Sequence, residues 1–499
     1  MRRKIEIDPG VMANLTRRAL LSSSMGLGVI AAAKLLGAGN SLAKSATPGS
    51  DSGPASSPDL GILTTGHFPT RAKRVVDIHM KGAVSQVDTL DYKPEVIKRH
   101  GEEIPPSVKG RGKISSMSNG QTVFPLMRPL APFKQYGDCG RWVSDLMPHI
   151  GSIADHLAFI HTVWTPHINH DPADIFMHTG FQLAGRPSAG AWVNYALGTD
   201  NANLPSYVVM KSQFQAAGVG ATQACWSAGF LPSNHQGVEF RSGNEPVLYV
   251  GNPDGMSREE RRSQIDIIGE LSRHQYQMTG DPEILSKIAQ YEMAYRMQDS
   301  VPEVTDLRDE PDYILNMYGP QVHQPGTFAR NCLLTRRLIE RGVKYVNLVQ
   351  VGWDHHNGIA RRHPPDCWAV DQPSAALVTD LKQRGLLDDT LVTWKGEFGR
   401  TVYAQGGINP NAGRDHHGGN FTMWMAGGGT KPGIAYGKTD DFSYNIVEDP
   451  VEIHDLNATM LYLLGIDHKQ LTFHYQGRDF RLTDTAGNVI HGILAKGPA

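Results

Sequence analysis

The sequence predicts an α/β domain built on a largely parallel sheet. Short apolar runs alternate along the chain with segments of helical periodicity, which is typical of strands joined by crossover helices. The clearest unit covers residues 327–351, where an amphipathic helix ends at Gly342 and the apolar run VKYVNLVQV follows as a buried strand. In such sheets ligands bind at the carboxyl ends of the strands, so the residues directly after each strand are the candidates for chemistry.

The same two patterns locate the other elements. Each predicted strand is a short, mostly apolar run, and each predicted helix has apolar residues spaced three and four apart. The strands cover residues 74–80, 157–163, 207–210, 343–351, 390–394 and 421–426. The helices cover residues 142–155, 258–278, 283–298, 327–341, 369–384 and 455–464. We expect one large domain over residues 71–485, followed by a C-terminal tail over residues 486–499.

Composition excludes several functional classes. Of the 499 residues, 40% are hydrophobic and 20% are charged, and the formal net charge of −2 provides no broad basic field. A role based on binding nucleic acid is therefore not expected. The four cysteines form no CxxC pair, which excludes a zinc ribbon and a disulfide-dense scaffold. Any metal ligands must come from carboxylates and from the 21 histidines.

Residues 1–43 have the pattern of an export signal. The sequence TRRALL at 16–21 is followed by an apolar stretch, and small residues precede Ala43. The paired arginines resemble a twin-arginine signal, which predicts transport by the twin-arginine export machinery to the periplasm or the exterior. A single membrane anchor is the alternative, but Lys34 interrupts the apolar run and no later run is long enough to span a bilayer. Residues 44–70, rich in Ser, Gly and Pro, are expected to form a flexible linker.

Two strand ends carry carboxylate side chains. The fourth predicted strand is followed by Asp354 and His356, which can both turn toward one ion, and this combination suits zinc, manganese or iron. The alternative is a capped loop with surface histidines. The fifth predicted strand leads into Glu397 and Arg400, which could serve a metal and an anionic substrate or form an ordinary ion pair in a turn.

A Gly-rich loop before the last predicted strand carries adjacent histidines, His416 and His417. They are candidate metal ligands or else solvated polar residues, and Arg414 beside them could neutralise a substrate oxyanion. Asp88, which follows the first predicted strand, is a weaker candidate ligand that could equally cap a turn.

The segment 161–178 is unusually rich in titratable side chains, which favours metal binding or acid–base chemistry. A helix N-terminus capped by Asp171 explains part of the segment but not its histidines. We expect His170 to act as a nucleophile or a metal ligand, with Asn169 and His178 as candidate substrate contacts.

Taken together, these segments closely resemble the bacterial family called domain of unknown function 1501. The resemblance covers residues 71–481 and includes the motifs VSQVDTLDYKPE, NHDPADIFMHTG, SAGFLPSNHQGVEF, GWDHH, LVTWKGEFGRT, GRDHHGGNFTMWMAGGG and VEIHDLNATMLYLLGID. This family is placed as sulfatase-like, within the alkaline phosphatase superfamily. The resemblance implies a three-layer α/β sandwich with metal ions at the carboxyl ends of the strands, and hydrolysis of sulfate or phosphate esters. It also implies export, because family members often carry twin-arginine signals.

Comparison with true sulfatases excludes a formylglycine nucleophile. Their Cys-x-Pro-x-Arg motif resembles residues 170–174, where Pro172 is present but His170 replaces the cysteine and Asp174 replaces the arginine. None of the chain's cysteines begins such a motif. The sulfatase motif that ends in Asp-His-Gly resembles the sequence around Glu397, where a phenylalanine replaces the histidine.

The sequence therefore predicts an exported, metal-dependent hydrolase-like protein that acts on sulfate or phosphate esters of a small molecule or polysaccharide. Zinc is the favoured metal, with calcium, manganese and magnesium as alternatives. The expected metal ligands are Asp354, His356, Glu397, His416, His417 and Asp88. Catalysis is assigned to His170, Arg400 and Arg414. Two alternatives remain open: a non-catalytic secreted binding protein that retains the fold, and a phosphotransferase or mutase.

Overall fold

The structure is a computed structural model that describes residues 61–110, 115–212, 222–241, 246–248 and 250–496. The predicted export signal and most of the predicted linker lie outside these residues. The last ten residues of that linker contact the domain, because the amide of Ile62 donates to the carbonyl of Tyr195 at 3.1 Å and Leu63 packs against the core. No helix among the described residues is long and apolar enough to cross a bilayer.

The helices and strands of the described residues are numbered here in chain order. The strands are β1 (Arg74–Lys81), β2 (Phe133–Tyr136), β3 (Arg141–Ser144), β4 (Leu157–Trp164), β5 (Tyr207–Ser212), β6 (Val238–Phe240), β7 (Tyr345–Val351), β8 (Thr390–Lys395), β9 (Gly399–Arg400), β10 (His416–His417), β11 (Phe421–Ala426), β12 (Ile434–Tyr436), β13 (Lys438–Thr439), β14 (Ile446–Glu448), β15 (Val451–Glu452), β16 (Phe473–Tyr475) and β17 (Arg478–Phe480). The α-helices are α1 (Gln86–Thr89), α2 (Pro94–Lys98), α3 (Pro106–Lys109), α4 (Pro148–Ser152), α5 (His170–Thr179), α6 (Ala189–Leu197), α7 (Arg258–Thr279), α8 (Glu283–Thr305), α9 (Asp312–Tyr318), α10 (Phe328–Glu340), α11 (Ile359–Gln383) and α12 (Ile453–Leu463).

A nine-stranded sheet forms the centre of the described domain. Its order is β12-β4-β11-β8-β1-β7-β5-β6, with β15 also paired to β4. Only β11 runs antiparallel to its neighbours β4 and β8, and the other pairs in this sheet are parallel. The prediction of a largely parallel sheet is confirmed.

Helices cover both faces of the sheet. On one face, α9, α10 and α11 pack against the alternate side chains Val76, Ile78 and Met80 of β1. On the other face, α5, α6 and α12 pack against the opposite side of the strands. The fold is therefore the three-layer α/β sandwich that the sequence resemblance implies.

The second face of β1 is polar although it is buried. Asp77, His79 and Lys81 alternate with the apolar residues of this strand and are at most 2% exposed. Burying polar side chains is costly unless they find partners. This row therefore marks a polar interior beneath the carboxyl edge of the sheet.

Some predicted elements differ from the structure. The helix predicted over residues 142–155 is wrong: β3 pairs there with β2, and the short helix α4 follows. Pro148 occupies the first position of α4, which proline favours because its fixed φ suits a helix start and its missing N–H is not needed there. Helix α11 begins at Ile359, ten residues before its predicted start. The prolines inside it remove backbone hydrogen bonds, but their fixed φ is helical, so the helix continues through them. Ile490, which was predicted to lie in a C-terminal tail, is buried in the core.

Candidate metal centre

Four side chains converge at the carboxyl edge of the sheet. The loop after β7 provides Asp354 and His356, α5 begins with His170, and β10 provides His416. One possible ligand atom from each residue lies within 4.8 Å of the others. The loop after β7 and the Gly-rich loop before β11 therefore meet, as a shared site requires.

One carboxylate oxygen lies at the centre of this cluster. Asp354 Oδ1 is 3.2 Å from His170 Nε2, 3.0 Å from His356 Nε2 and 3.4 Å from His416 Nε2. The Nε2 atoms of His356 and His416 are themselves only 2.9 Å apart. All four side chains thus direct a potential ligand atom toward a common volume.

The outer nitrogen of each imidazole contacts an oxygen. His170 Nδ1 lies 2.6 Å from Glu397 Oε1, and His416 Nδ1 lies 2.6 Å from the carbonyl oxygen of Ile168. His356 Nδ1 lies 2.6 Å from Gln405 Oε1. A carboxylate or a carbonyl can only accept, so these contacts place protons on Nδ1 and leave lone pairs at Nε2. Metal-binding histidines are oriented in this way.

The converging lone pairs require a positive charge between them. His170 Nε2 is buried and has no hydrogen-bond partner, although it faces Asp354. Two imidazole nitrogens at contact distance repel each other when neither carries a proton. Three histidines and one carboxylate are a donor set that zinc commonly takes, so the residues present fit a divalent cation.

The electrostatics of the two carboxylates and of His416 favour the same charge state, whereas these carboxylates raise the pKa of His170 against the effect of burial. Burial would raise the pKa of Asp354, but the three histidines and Arg400 hold that pKa well below its ordinary range. Burial would also raise the pKa of Glu397, yet its contact with His170 lowers the pKa overall. Burial lowers the pKa of His416 to about 4. Ionised carboxylates and a neutral imidazole are the forms that bind metal.

Glu397 and Arg400 each contact one member of the cluster and hold it in position. Glu397 is fully buried, accepts from the amide of Gly82 at 2.9 Å and orients His170. Arg400 is 1% exposed and donates from Nη2 to Asp354 Oδ1 at 2.6 Å, while its Nε donates to the carbonyl of Ala83. Both residues touch the cluster, but Glu397 acts through His170, so it is a positioning residue and not a fifth ligand.

Three residues expected at the site lie elsewhere. Asp88 and Arg414 are completely buried and bind each other, with Arg414 Nε 2.7 Å from Asp88 Oδ2. His417 follows His416 on β10, so its side chain points to the opposite side, where Nε2 lies 2.8 Å from the carbonyl oxygen of Tyr444. The structure does not bring these side chains to the metal cluster.

The two expected substrate contacts are placed differently. Asn169 is exposed and directly precedes α5, next to the cluster. His178 lies near the other end of α5, where it is 4% exposed and its Nδ1 contacts the carbonyl oxygen of Asp174 at 2.9 Å. His178 is thus too deep in the domain to contact a substrate at the cluster.

Sequence reasoning missed two kinds of residue. Gln405 and the carbonyl of Ile168 orient histidines, and no motif marks such a contact. His79 and Lys81, which bind Asp174 beneath the cluster, were missed although a signal existed. Their spacing of two within an apolar strand places them on one face, where burial demands partners.

Gly413 lets the two loops of the cluster approach each other. A Cβ atom at this position would overlap the backbone of His356 and lie 2.5 Å from the amide nitrogen of Asn357. We expect Gly413→Ala to displace His356 and to weaken the binding of a divalent cation by about 10- to 100-fold, the range found when groups that orient metal ligands are changed. Competition with a chromophoric chelator measures this affinity. Gly120→Ala is the matched control, since nothing lies within 4 Å of its Cβ position, and equal affinities for the two variants would contradict the prediction.

The fold and the site define an α/β/α sandwich with a candidate metal centre at the carboxyl edge of its sheet. The chain belongs to the family described as "Protein of unknown function (DUF1501)", whose sequence profile matches residues 72–494. This match confirms the resemblance found from the motifs. No curated protein matches the chain significantly.

Several solved structures are similar to this chain at low identity. The PsFucS1 sulfatase from Pseudoalteromonas sp. is 12% identical, with 79% of this chain and 68% of that chain covered and a TM-score of 0.31. The phosphonate monoester hydrolase SpPMH from Silicibacter pomeroyi is 12% identical, with 83% and 77% covered and a TM-score of 0.31. The C-terminal periplasmic domain of EcEptC from Escherichia coli, solved in complex with Zn, is 8% identical, with 87% and 98% covered and a TM-score of 0.35. These similarities concern the fold alone.

Proposed function

We propose that this protein is a metal-dependent hydrolase of sulfate or phosphate esters. The observation that carries the proposal is the convergence of three imidazole Nε2 atoms on Asp354 Oδ1. The Nδ1 atom of each of these imidazoles contacts an oxygen, which orients the ring. These four residues would hold a zinc ion, which would supply Lewis-acid polarisation of a sulfuryl or phosphoryl oxygen. The motifs shared with the sulfatase-like family support the substrate class.

The chain's own residues define where a substrate binds. Asp354 and His356 are the more accessible members of the cluster, with side chains 23% and 13% exposed, so an ester approaches from their side. The N-terminus of α5 starts at His170 and faces the same volume. The dipole of the helix favours an anionic group there, next to the exposed side chain of Asn169.

His170 serves this reaction as a ligand and not as the nucleophile. Its Nδ1 is taken by Glu397 and its Nε2 faces Asp354, which leaves no nitrogen free to attack a substrate. Water is therefore the proposed nucleophile, and Arg400 keeps Asp354 ionised beside it. Attack by water makes the reaction a hydrolysis and disfavours group transfer.

The proposal is tested on protein purified in folded form. We expect elemental analysis to find bound zinc, and we expect a panel of aryl sulfates, phosphate monoesters and phosphate diesters to contain a substrate that is cleaved with release to water. Inclusion of an acceptor alcohol distinguishes a phosphotransferase, which would form a new ester. Absence of stoichiometric metal together with an inert panel would contradict the proposal.

Zinc affinity is expected to fall as the pH decreases from about 8 to about 6, because imidazoles must be deprotonated to bind metal. Burial would lower the pKa of His170, but Asp354 and Glu397 raise it above its ordinary 6.5. Protons therefore begin to compete with zinc above pH 6.5. Chelator competition across this range measures the effect. Glu397→Gln removes one cause of the raised pKa and is expected to shift the profile to lower pH, while a profile that is flat in both proteins would contradict this account.

We also propose that the chain is exported through the twin-arginine pathway. The paired arginines in TRRALL, the apolar stretch after them and the small residues before Ala43 support this proposal. It agrees with a site made of histidine and carboxylate, which needs no reduced cysteines.

A further inference from the structure

A second cluster of buried side chains lies on the far side of Glu397 from the first. His79 of β1 and Asp174 and His178 of α5 each offer a ligand atom within 4.8 Å of the others. Their exposed fractions are 1%, 1% and 4%. The proposed function uses none of these residues, so their burial has no explanation in it.

Several polar atoms of this cluster have no hydrogen-bond partner. They are both ring nitrogens of His79, Oδ1 of Asp174 and Nε2 of His178. His79 Nε2 and Asp174 Oδ1 are only 2.7 Å apart, so distance does not prevent a bond between them. The pair does not form an aligned hydrogen bond, and His178 Nδ1 lies 3.7 Å from the same carboxylate oxygen. Leaving buried polar atoms without partners is costly, and a bound cation would satisfy these atoms together.

The charges around the cluster leave room for a cation. Lys81 Nζ contacts Asp174 Oδ2 at 2.6 Å, so this lysine pairs with the carboxylate oxygen that does not face His79. Lys395 contacts Asp77. Three buried carboxylates, including Glu397, thus face two lysines.

We propose that His79, Asp174 and His178 hold a second divalent cation of the zinc class. Two imidazoles and a carboxylate suit zinc, and Glu397 Oε2, 3.6 Å from His79 Nε2, faces the same volume as a fourth oxygen. A closed and buried set of four donors is typical of a structural zinc site. The ion would fix α5 to β1 and so hold His170, the first residue of α5, in place.

This second site goes beyond the proposed function and can exist without it. Zinc content per chain is measured in the full-length wild-type protein and in the variants His178→Gln, His356→Gln and their combination. We expect two zinc ions in the wild type, one in each single variant and none in the double variant. His235→Gln is the matched control: His235 is another buried histidine, 8% exposed, that belongs to neither cluster, and it should retain both ions.

The outcomes separate the two sites. A wild type with one ion that is lost in His356→Gln and retained in His178→Gln would overturn the second site and keep the first. One ion with the reverse pattern would support the second site and contradict the proposed function. Spectrophotometric titration of the metal-free wild type with Co²⁺ counts the sites without any variant. If His178→Gln does not fold, the same titration of metal-free His356→Gln decides the question, and failure of this variant to bind Co²⁺ would overturn the proposal.

Discussion

Replacing Asp354 and His356 together with alanine is expected to remove the ion of the first centre and to lower ester hydrolysis by about 10³-fold or more. All three histidines face Asp354 Oδ1, so its loss removes the centre of the donor set. Polarisation by a metal contributes several kcal/mol to the transition state, and about 1.4 kcal/mol corresponds to a factor of ten in rate. Elemental analysis and the rate on the best ester of the panel measure the two effects.

A second pair of substitutions separates metal loss from unfolding. Removal of Asp354 leaves the buried guanidinium of Arg400 without a carboxylate partner. This unpaired charge destabilises the domain, so loss of the ion and loss of stability would occur together. His356→Gln combined with His416→Gln keeps this ion pair and is expected to lose the ion with little change in the melting temperature. His417→Gln is the control. The His417 imidazole faces Tyr444 and not the cluster, so this substitution should change neither metal content nor rate. A double glutamine variant that keeps its ion and its activity would contradict the site.

The sequence identified the loops of the site better than the side chains within them. Asp354 and His356 follow a strand whose apolar run is unmistakable, and the carboxyl edge of a parallel sheet is where such loops meet. His416 and His417 could not be distinguished, since the choice depends on which face of a two-residue strand each side chain takes. That choice is set by the pairing of β10 with β9, which is a tertiary contact that a single sequence does not reveal.

The polar row of β1 shows a different limit. The sequence predicts this strand as a mostly apolar run over residues 74–80 and assigns no role to Asp77, His79 or Lys81. Their alternation predicts one shared face, but their burial follows from α5 packing over them, and Asp174 of that helix is 93 residues away from Lys81 in sequence. Partners so distant along the chain cannot be paired from a single sequence.

Replacing Arg414 with methionine is expected to lower the free energy of unfolding by about 3–5 kcal/mol, the usual cost of breaking a buried ion pair. The Arg414 guanidinium donates to both carboxylate oxygens of Asp88, at 2.7 and 3.1 Å, and to the backbone carbonyls of Thr401, Val402, Met127 and Arg128. Both members of the pair are completely buried. Chemical denaturation monitored by circular dichroism measures the loss.

The pH dependence of this pair has a definite sign. Burial would raise the pKa of Asp88, but Arg414 holds it below its ordinary value of 3.8. A carboxyl whose pKa is lowered by folding stabilises the native state above its unfolded pKa and loses this contribution as the pH falls. The contribution of the ionised pair to wild-type stability is therefore expected to be constant near neutral pH and to be lost as the pH falls below about 4.

A double-mutant cycle decides whether Arg414 has a structural or a catalytic role. Asp88→Leu combined with Arg414→Met replaces the buried pair by apolar side chains, so the double variant should be more stable than the sum of the single changes implies, by about 1–3 kcal/mol. If Arg414 instead meets the substrate, as its place beside His416 in the sequence suggests, Arg414→Met would lower the hydrolysis rate in a protein of unchanged stability. Because six hydrogen bonds from Arg414 end on other parts of the chain, we expect the first result.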